Sequence, residues 1–542
     1  MAEMTRLHEA VTRIDAYITQ TLTPHSSPGV AIAVTDREHV LHVGAYGVAD
    51  LATRTPITPH TRFEIGSISK SVTAIALLQQ YDAGRVDLHA PVTHYLPWFP
   101  VPSGAAPITV HHLLSHTAGL VMGSDVAPDP RALVVALRET ALATPPGTYF
   151  HYSDAGYQTL GLLVEEISGQ PYAEVIQAGL LTPLDMAASE PVITHDTRRR
   201  LAVGYHSLYD DRPAHASYPL APAPWVEWRG GDACVVSTAT DMAAYLRLLL
   251  NAGQGPGERV LSTESFALLT HRAVPAAEFG AGVFYGYGLM TQEVAGHTYL
   301  FHEGGMPGYR AMLLADLTDG LAVIVLLNGP GAPAAVARFT LEVLRAARSG
   351  QDLPPVPPAT DPRTVTNAGD YTGTYASLHG QMVLTREGTR LVLQCEGHST
   401  ALEPRGPDTF YTPHPPFALF PWRFGRVGTE VVDASHGAAW YIKEGVFPPP
   451  AAASPPVWEG YTGHYRAYNP WRPNFRVVVR QGRLLLVEPS GDEEVLVEVE
   501  PGCFRIGAEE FLPERLCFET FISGQALRAT LSGCPYYRVS TP

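Results

Sequence analysis

The sequence predicts an α/β (α+β) domain, a mainly antiparallel sheet flanked by helices, followed by two small antiparallel β-barrels. Three observations carry this. Over residues 1–350 a helical period, two β-rich runs, a helical middle, three strand-like runs and a closing helical stretch follow one another. Proline-dense segments, Leu353-Pro354-Pro355-Val356-Pro357-Pro358 and Pro448 to Pro456, then interrupt the chain twice. After each interruption the same motif opens a β-rich segment, as Tyr371-Thr372-Gly373-Thr374-Tyr375 and as Tyr461-Thr462-Gly463-His464-Tyr465.

The elements follow in chain order. Leu7, Val11, Ile14, Ile18 and Leu22 recur at helical spacing ahead of Pro24. Pro28 to Thr35 and His39 to Tyr46 read as a hairpin around Asp36-Arg37-Glu38. Ile65-Gly66-Ser67-Ile68-Ser69-Lys70 leads into an apolar stretch that stops near Gly84, a buried helix with Ser67 at its N-terminal end. Helical stretches follow at His112 to Ser115, Leu160 to Ile167 and Asp241 to Leu250. Strand-like runs return at Gly288 to Val294, Ala311 to Leu314 and Leu321 to Leu327, before a last helix over Ala334 to Ala347.

For 542 residues, about 150 per domain gives roughly three to four units. The expected division is a catalytic domain at 1–350, a linker at 351–365, a first barrel at 366–447, a linker at 448–457 and a second barrel at 458–542. Arg386-Glu387-Gly388-Thr389-Arg390 and Arg480-Gln481-Gly482-Arg483 repeat a two-strand pattern around a glycine turn. The second copy has a short insertion near Asn469-Pro470-Trp471-Arg472-Pro473-Asn474, a rigid aromatic loop.

Composition narrows the function. Apolar residues make up 45% and charged residues 17%, the balance of a packed protein. The formal charge is −16 with no basic cluster, so nucleic acid is not an expected partner. The N-terminus has no basic segment leading into an apolar one and no apolar run reaches bilayer length, so the sequence reads as cytoplasmic and unattached to membranes. The five cysteines, Cys234, Cys395, Cys503, Cys517 and Cys534, show no C-x-x-C spacing and are expected as free thiols. His112 and His116 lack a third ligand, so neither metal nor cofactor is expected.

Only two of the 37 Lys and Arg residues are lysine, Lys70 and Lys443. A position that keeps lysine in such a chain is a candidate for proton transfer, which arginine cannot perform. The Ser67-x-x-Lys70 spacing sets hydroxyl and amine on one helical face, close enough for the amine to help deprotonate the hydroxyl. At a helix N-terminus, backbone N–H groups also favour the charge that develops on attack.

Further along come Tyr152-Ser153-Asp154, His302-Glu303-Gly304-Gly305, His111-His112-Leu113-Leu114-Ser115-His116-Thr117-Ala118-Gly119-Leu120 and Val236-Ser237-Thr238-Ala239-Thr240-Asp241-Met242. In this order they resemble the serine β-lactamase and penicillin-recognising family, on the branch of class C β-lactamases, DD-peptidases, D-aminopeptidases and related esterases. The resemblance covers roughly residues 6 to 348. It implies Ser67 as nucleophile, Lys70 as its activating neighbour and Tyr152 as proton shuttle. It implies an H-x-G element at His302 and Gly304 on an edge strand, and an oxyanion hole from the N–H groups of Ser67 and Gly305.

Two departures bear on substrate. His302 stands where β-lactamases carry lysine, and a neutral imidazole is a poor anchor for a substrate carboxylate. Asp154 stands where the family usually has asparagine; its charge would keep Lys70 protonated, favour Tyr152 as base and attract a substrate amino group. Three-domain D-aminopeptidases of this family carry two lipocalin-like barrels, and by that resemblance Trp471 and Arg472 form a candidate gating loop. The expected activity is that of a serine hydrolase acting on a small amide or short peptide, D-aminopeptidase-like. A carboxylesterase, a DD-peptidase or β-lactamase, and a non-catalytic ligand-binding protein remain alternatives. The expected partners are the substrate and a second copy of the chain.

Overall fold

The computed structural model describes residues 2–21, 27–102, 106–123, 129–378, 380–446 and 453–540, so part of the second proline-rich linker, 448–452, lies outside the described residues. The chain forms two compact units, Met1–His206 with Leu220–Pro357, and Ser207–Pro219 with Pro358–Pro542.

The first unit is built on a nine-stranded antiparallel sheet. Its strands are β1 (Gly29–Asp36), β2 (Val40–Asp50), β3 (Thr55–Pro56), β4 (Val274–Pro275), β5 (Val283–Tyr285), β6 (Met290–Val294), β7 (His297–Met306), β8 (Tyr309–Asp316) and β9 (Leu321–Leu327). They lie in the order β3-β2-β1-β9-β8-β7-β6-β5-β4. Five main helices accompany them: α1 (Ala2–Thr21), α2 (Ser69–Asp82), α3 (Asp154–Ser168), α4 (Ala239–Leu250) and α5 (Pro333–Ser349).

The central strands are covered on both faces, which is why Leu321 to Leu327 reads as an unbroken apolar run. Val323 and Val325 pack with Ile14 and Ile18 of α1 and with Val336 and Val343 of α5. Ile324 and Leu326 face the opposite core, with Ile75, Leu160 and Leu246. Alternation along one strand thus feeds two cores.

The three expected C-terminal strands are part of a larger set. Periodicity alone does not show β7, the stretch that holds His302, because its His-Glu-Gly-Gly run interrupts any alternation; the family resemblance is what puts it on a strand. The structure also corrects its expected place at a sheet edge: β7 lies between β6 and β8. Pairing with β6 ends at Met290 and Phe301, however, while pairing with β8 continues to Met306 and Tyr309. The H-x-G-G stretch therefore extends beyond its neighbour on one side.

The second unit contains two closed eight-stranded barrels, spanning Gly373–Lys443 and Gly463–Val539. The repeated motif has the same role in both. Tyr375 and Tyr465 are fully buried, and their hydroxyls donate to the carbonyls of Tyr371 and Tyr461, each at 2.8 Å. Residues 207–219, within the stretch the sequence gives to the catalytic domain, cluster with the barrels. Asp210 pairs with Arg466, the Tyr218 hydroxyl meets that of Tyr411 at 2.7 Å, and His215 contacts Glu403 at 3.1 Å.

The expectation of five free thiols is corrected at one pair. Cys503 and Cys517 are cross-strand partners in the second barrel and form a disulfide. Sequence separation carries no sign of this pairing, because strand register alone sets the two opposite each other. Cys234, Cys395 and Cys534 are buried and take no part in that disulfide. Among the described residues no helix is long and apolar enough to cross a membrane.

Candidate active site

Ser67 sits in a 3₁₀ turn, Gly66–Ile68, which runs directly into α2. It thus stands one tight turn ahead of the helix whose N-terminus the sequence assigns to it. Two contacts fix the turn: the Ile65 N–H donates to the Val235 carbonyl at 3.1 Å, and Gly66 lies against β7. Gly66 has φ +55°, and a Cβ there would lie 2.5 Å from the Gly305 nitrogen. A Cβ on Gly304 would lie 2.0 Å from the Ile65 carbonyl oxygen. Glycine at both positions lets β7 run backbone to backbone along the turn, and so brings Gly305 beside Ser67.

Lys70 is completely buried on the first turn of α2. Its Nζ donates to Ser67 Oγ at 3.0 Å, to Asp154 Oδ1 at 2.6 Å and to the Asp232 carbonyl at 3.2 Å. An ammonium has three N–H bonds, and all three have acceptors here. Burial works against the charge, but Asp154, followed by Tyr152 and Asp232, outweighs it and raises the lysine above its usual range. Lys70 rests protonated.

Tyr152 and Asp154 flank the start of α3, where the Ser153 hydroxyl accepts from the Gly156 N–H at 3.1 Å as a helix cap. This places Tyr152 just outside the helix and Asp154 on its first turn. Lys70 Nζ lies 4.8 Å from the Tyr152 ring centroid. Burial pushes the Tyr152 phenol up to about 12, against the opposing charge of Lys70. The Asp154 side chain keeps 34% exposure while pairing with a lysine that has none, so it connects the buried ammonium with solvent.

His302 is buried at 2% exposure. Its Nδ1 lies 2.6 Å from the Glu303 carbonyl oxygen and its Nε2 lies 3.2 Å from the Tyr285 hydroxyl. A carbonyl only accepts, so Nδ1 carries the proton and Nε2 accepts from tyrosine. Burial, then the Lys70 charge, lowers the imidazole to about 3. The ring is neutral and both of its nitrogens are engaged.

Two further residues belong to this site: His116, which the sequence shows only within the His111 to Leu120 stretch, and Asp232, which has no sequence signal. The His116 ring centre lies 4.4 Å from that of Tyr152, the planes tilted by 33°, and its Nδ1 accepts from the Ser153 N–H at 3.0 Å, so it supports the tyrosine from behind. Asp232 is 3% exposed; its Oδ1 accepts from the Trp228 indole N–H at 3.0 Å while its carbonyl holds Lys70. Burial raises this carboxyl to about 7, with Asp154 adding to the shift and Lys70 opposing it.

The structure thus brings Ser67, Lys70, Tyr152, Asp154, His302, Gly304 and Gly305 together. Trp471 and Arg472 belong to the second unit. There the Arg472 guanidinium pairs with Glu488, its carbonyl accepts from the Tyr536 hydroxyl at 2.9 Å, and the Asn469 side chain accepts from the Trp471 N–H at 3.0 Å. Among the described residues one group has metal-ligand types in reach, His297, Asp316 and Asp319. Arg345 bonds both carboxylates, at 2.6 and 2.8 Å, and this cluster is accounted for as an ion-pair network.

Comparison with known proteins follows the same lines. The Beta-lactamase family profile matches residues 14–347. Penicillin-binding protein 4 of Amycolatopsis lactamdurans is 29% identical over 370 residues, covering 65% of this chain and 94% of its own. Among solved structures, the octameric penicillin-binding protein homologue from Pyrococcus abyssi aligns with a TM-score of 0.57 and 24% identity, over 80% of this chain and 100% of its own. The D-amino acid amidase of Ochrobactrum anthropi SV3, complexed with L-phenylalanine amide, aligns at 0.51 and 21%, over 62% of this chain and 99% of its own. Likeness to these two structures extends to the fold.

Proposed function

This chain belongs to the Beta-lactamase family, whose members include serine hydrolases, and from that premise we propose that it cleaves small amides or short peptides bearing a free amino group, as a D-aminopeptidase does. Ser67 attacks the carbonyl to form an acyl-enzyme, which water then hydrolyses. The N–H groups of Ser67 and Gly305 receive the developing oxyanion.

The observation that carries the reading is Asp154. Its carboxylate joins Lys70 to solvent, so a substrate ammonium can pair with it from the exposed side. Such a pairing also solves a proton problem. In the resting site Lys70 is charged and Tyr152 is a neutral phenol, so neither is a ready base. A substrate ammonium on Asp154 neutralises the charge that holds the lysine's proton. The Lys70–Tyr152 pair then becomes able to accept the Ser67 proton and return it to the leaving amine.

A second reading, a carboxylesterase, is favoured by His302. A neutral, fully engaged imidazole supplies no cation for a substrate carboxylate, which counts against β-lactams and DD-peptides and leaves neutral acyl groups acceptable.

Initial rates on D-alanine and L-alanine p-nitroanilides beside a p-nitrophenyl ester, with Ser67→Ala as control, test both. Anilide cleavage selective for the D form and lost in Ser67→Ala supports the aminopeptidase. In Asp154→Asn, KM for the anilide should rise roughly tenfold or more, while cleavage of the ester, which brings no ammonium and is freed of the charge that holds the Lys70 proton, should quicken rather than fall. Ester cleavage alone selects the second reading, and no Ser67-dependent turnover on any substrate points to a recognition protein.

A further inference from the structure

Beside the Ser67 site lies a buried carboxyl group that the mechanism above does not use. We propose that Asp232 is a positioning residue of the hydrolytic site, a proton-holding carboxyl group that decides how firmly Lys70 keeps its charge. This rests on reading Ser67 and Lys70 as a hydrolytic pair.

The argument is one of counting charges in a dry place. Lys70 is a fully buried cation, and two carboxyl groups stand by it: Asp154, bonded to Nζ at 2.6 Å, and Asp232, whose main-chain oxygen is bonded to Nζ at 3.2 Å. Asp232 also acts on two titratable neighbours, Tyr172, from a nearby helix, and Cys234, on its own segment. Burial raises both, so both stay uncharged. Ionising both carboxyl groups would leave a net negative charge inside the protein, which is costly.

Asp154 has direct contact with the ammonium and a third of its side chain in solvent, where a negative charge costs least. Asp232 has 3% exposure and a hydrogen bond from the Trp228 indole. The shared proton therefore resides on Asp232, which gives it up near neutral pH. While Asp232 is protonated, Asp154 is the lysine's one counter-charge, and a substrate ammonium can displace it. Once Asp232 ionises, a second negative charge remains beside Lys70 after Asp154 is occupied, and the lysine keeps its proton.

Rising alkalinity should thus hinder activation of Ser67 rather than help it. The test compares phosphonylation of Ser67, with loss of fluoride, by a fluorophosphonate probe bearing a fixed trimethylammonium group, which can occupy Asp154 at every pH, in the full-length protein and in Asp232→Asn, from pH 5.5 to 9. The Asn variant mimics the protonated form, so the rates should match at pH 5.5 and differ by roughly tenfold at pH 9, with the variant faster. A ratio that stays constant with pH overturns the proposal.

A spectroscopic readout stands even if Asp232→Asn folds poorly. The Trp228 indole N–H, assigned with Trp228→Phe, should shift with a midpoint near 7 in the wild type; a flat signal also overturns the proposal. Absence of any Ser67 labelling rejects the hydrolytic reading itself, an outcome distinct from a constant ratio, which removes only the part played by Asp232.

Discussion

Gly66 and Gly305 meet backbone to backbone, so closely that a Cβ on Gly66 would lie 2.5 Å from the Gly305 nitrogen. The contact joins the turn that carries Ser67, the proposed nucleophile, to the strand that would supply the second oxyanion donor. It makes the spacing between the two donors a property of the backbone rather than of any side chain.

That relationship predicts an asymmetry. Gly66→Ala adds a methyl group at φ +55° against main-chain atoms that cannot swing away. It should cost about 1–3 kcal/mol of stability and lower kcat at least tenfold. Gly305→Ala meets only the end of the Arg310 side chain, at 3.2 Å, and should cost less than about 1 kcal/mol. Denaturant melts and acylation rates of the two variants check it; equal effects would show that the close approach does not matter.

The imidazole of His302 should stay neutral from pH 5 to 9, protonated on Nδ1. A histidine held near 3 by burial and by the Lys70 charge binds no proton in this range and contributes no inflection to a pH–rate profile. Nitrogen-15 NMR of the ring checks it. A titration between pH 5 and 8 would restore His302 as an anchor for anionic substrates.

Glu64, on the short strand Phe63–Glu64 that leads to the nucleophile turn, is 3% exposed. Burial raises its carboxyl to about 8, with the Trp225 side chain opposing. The folded protein therefore binds a proton here that the unfolded chain releases near 4.5, so this group makes stability fall as pH rises from about 4.5 to 8. The slope is at most about 1.4 kcal/mol per pH unit. In Glu64→Gln that slope should disappear, and Tm relative to wild type should improve steadily between pH 5 and 8.5. A difference in Tm that is independent of pH would place the proton elsewhere.

Much of the fold can be read from local pattern. The α1 periodicity, the hairpin ahead of Ser67 and the apolar run at Leu321 to Leu327 announce their elements because burial imposes period on sequence. The barrels announce themselves through the Tyr-Thr-Gly-x-Tyr repeat, whose buried tyrosine makes the same bond in each copy. Strand β7 is not legible this way. Its glycines are there for close approach to Ile65 and Gly66, a demand set by a segment far away in the chain.

The site divides along the same line. Ser67 and Lys70 stand out because three residues of spacing on a helix is a local fact, and because lysine is so scarce in this chain. By itself the sequence determined the class of the first domain, the two barrels after it and the Ser67-x-x-Lys70 pair proposed for the chemistry. Only the tertiary structure decided that Lys70 has three acceptors, that His302 is buried with both nitrogens engaged, that His116 lies behind Tyr152 and that Asp232 shares the lysine with Asp154. Nothing within a few residues of Asp232 distinguishes it from a surface aspartate. Its character comes from being taken out of water beside a charge fixed on another helix, and dielectric surroundings are a property of packing, not of sequence neighbours.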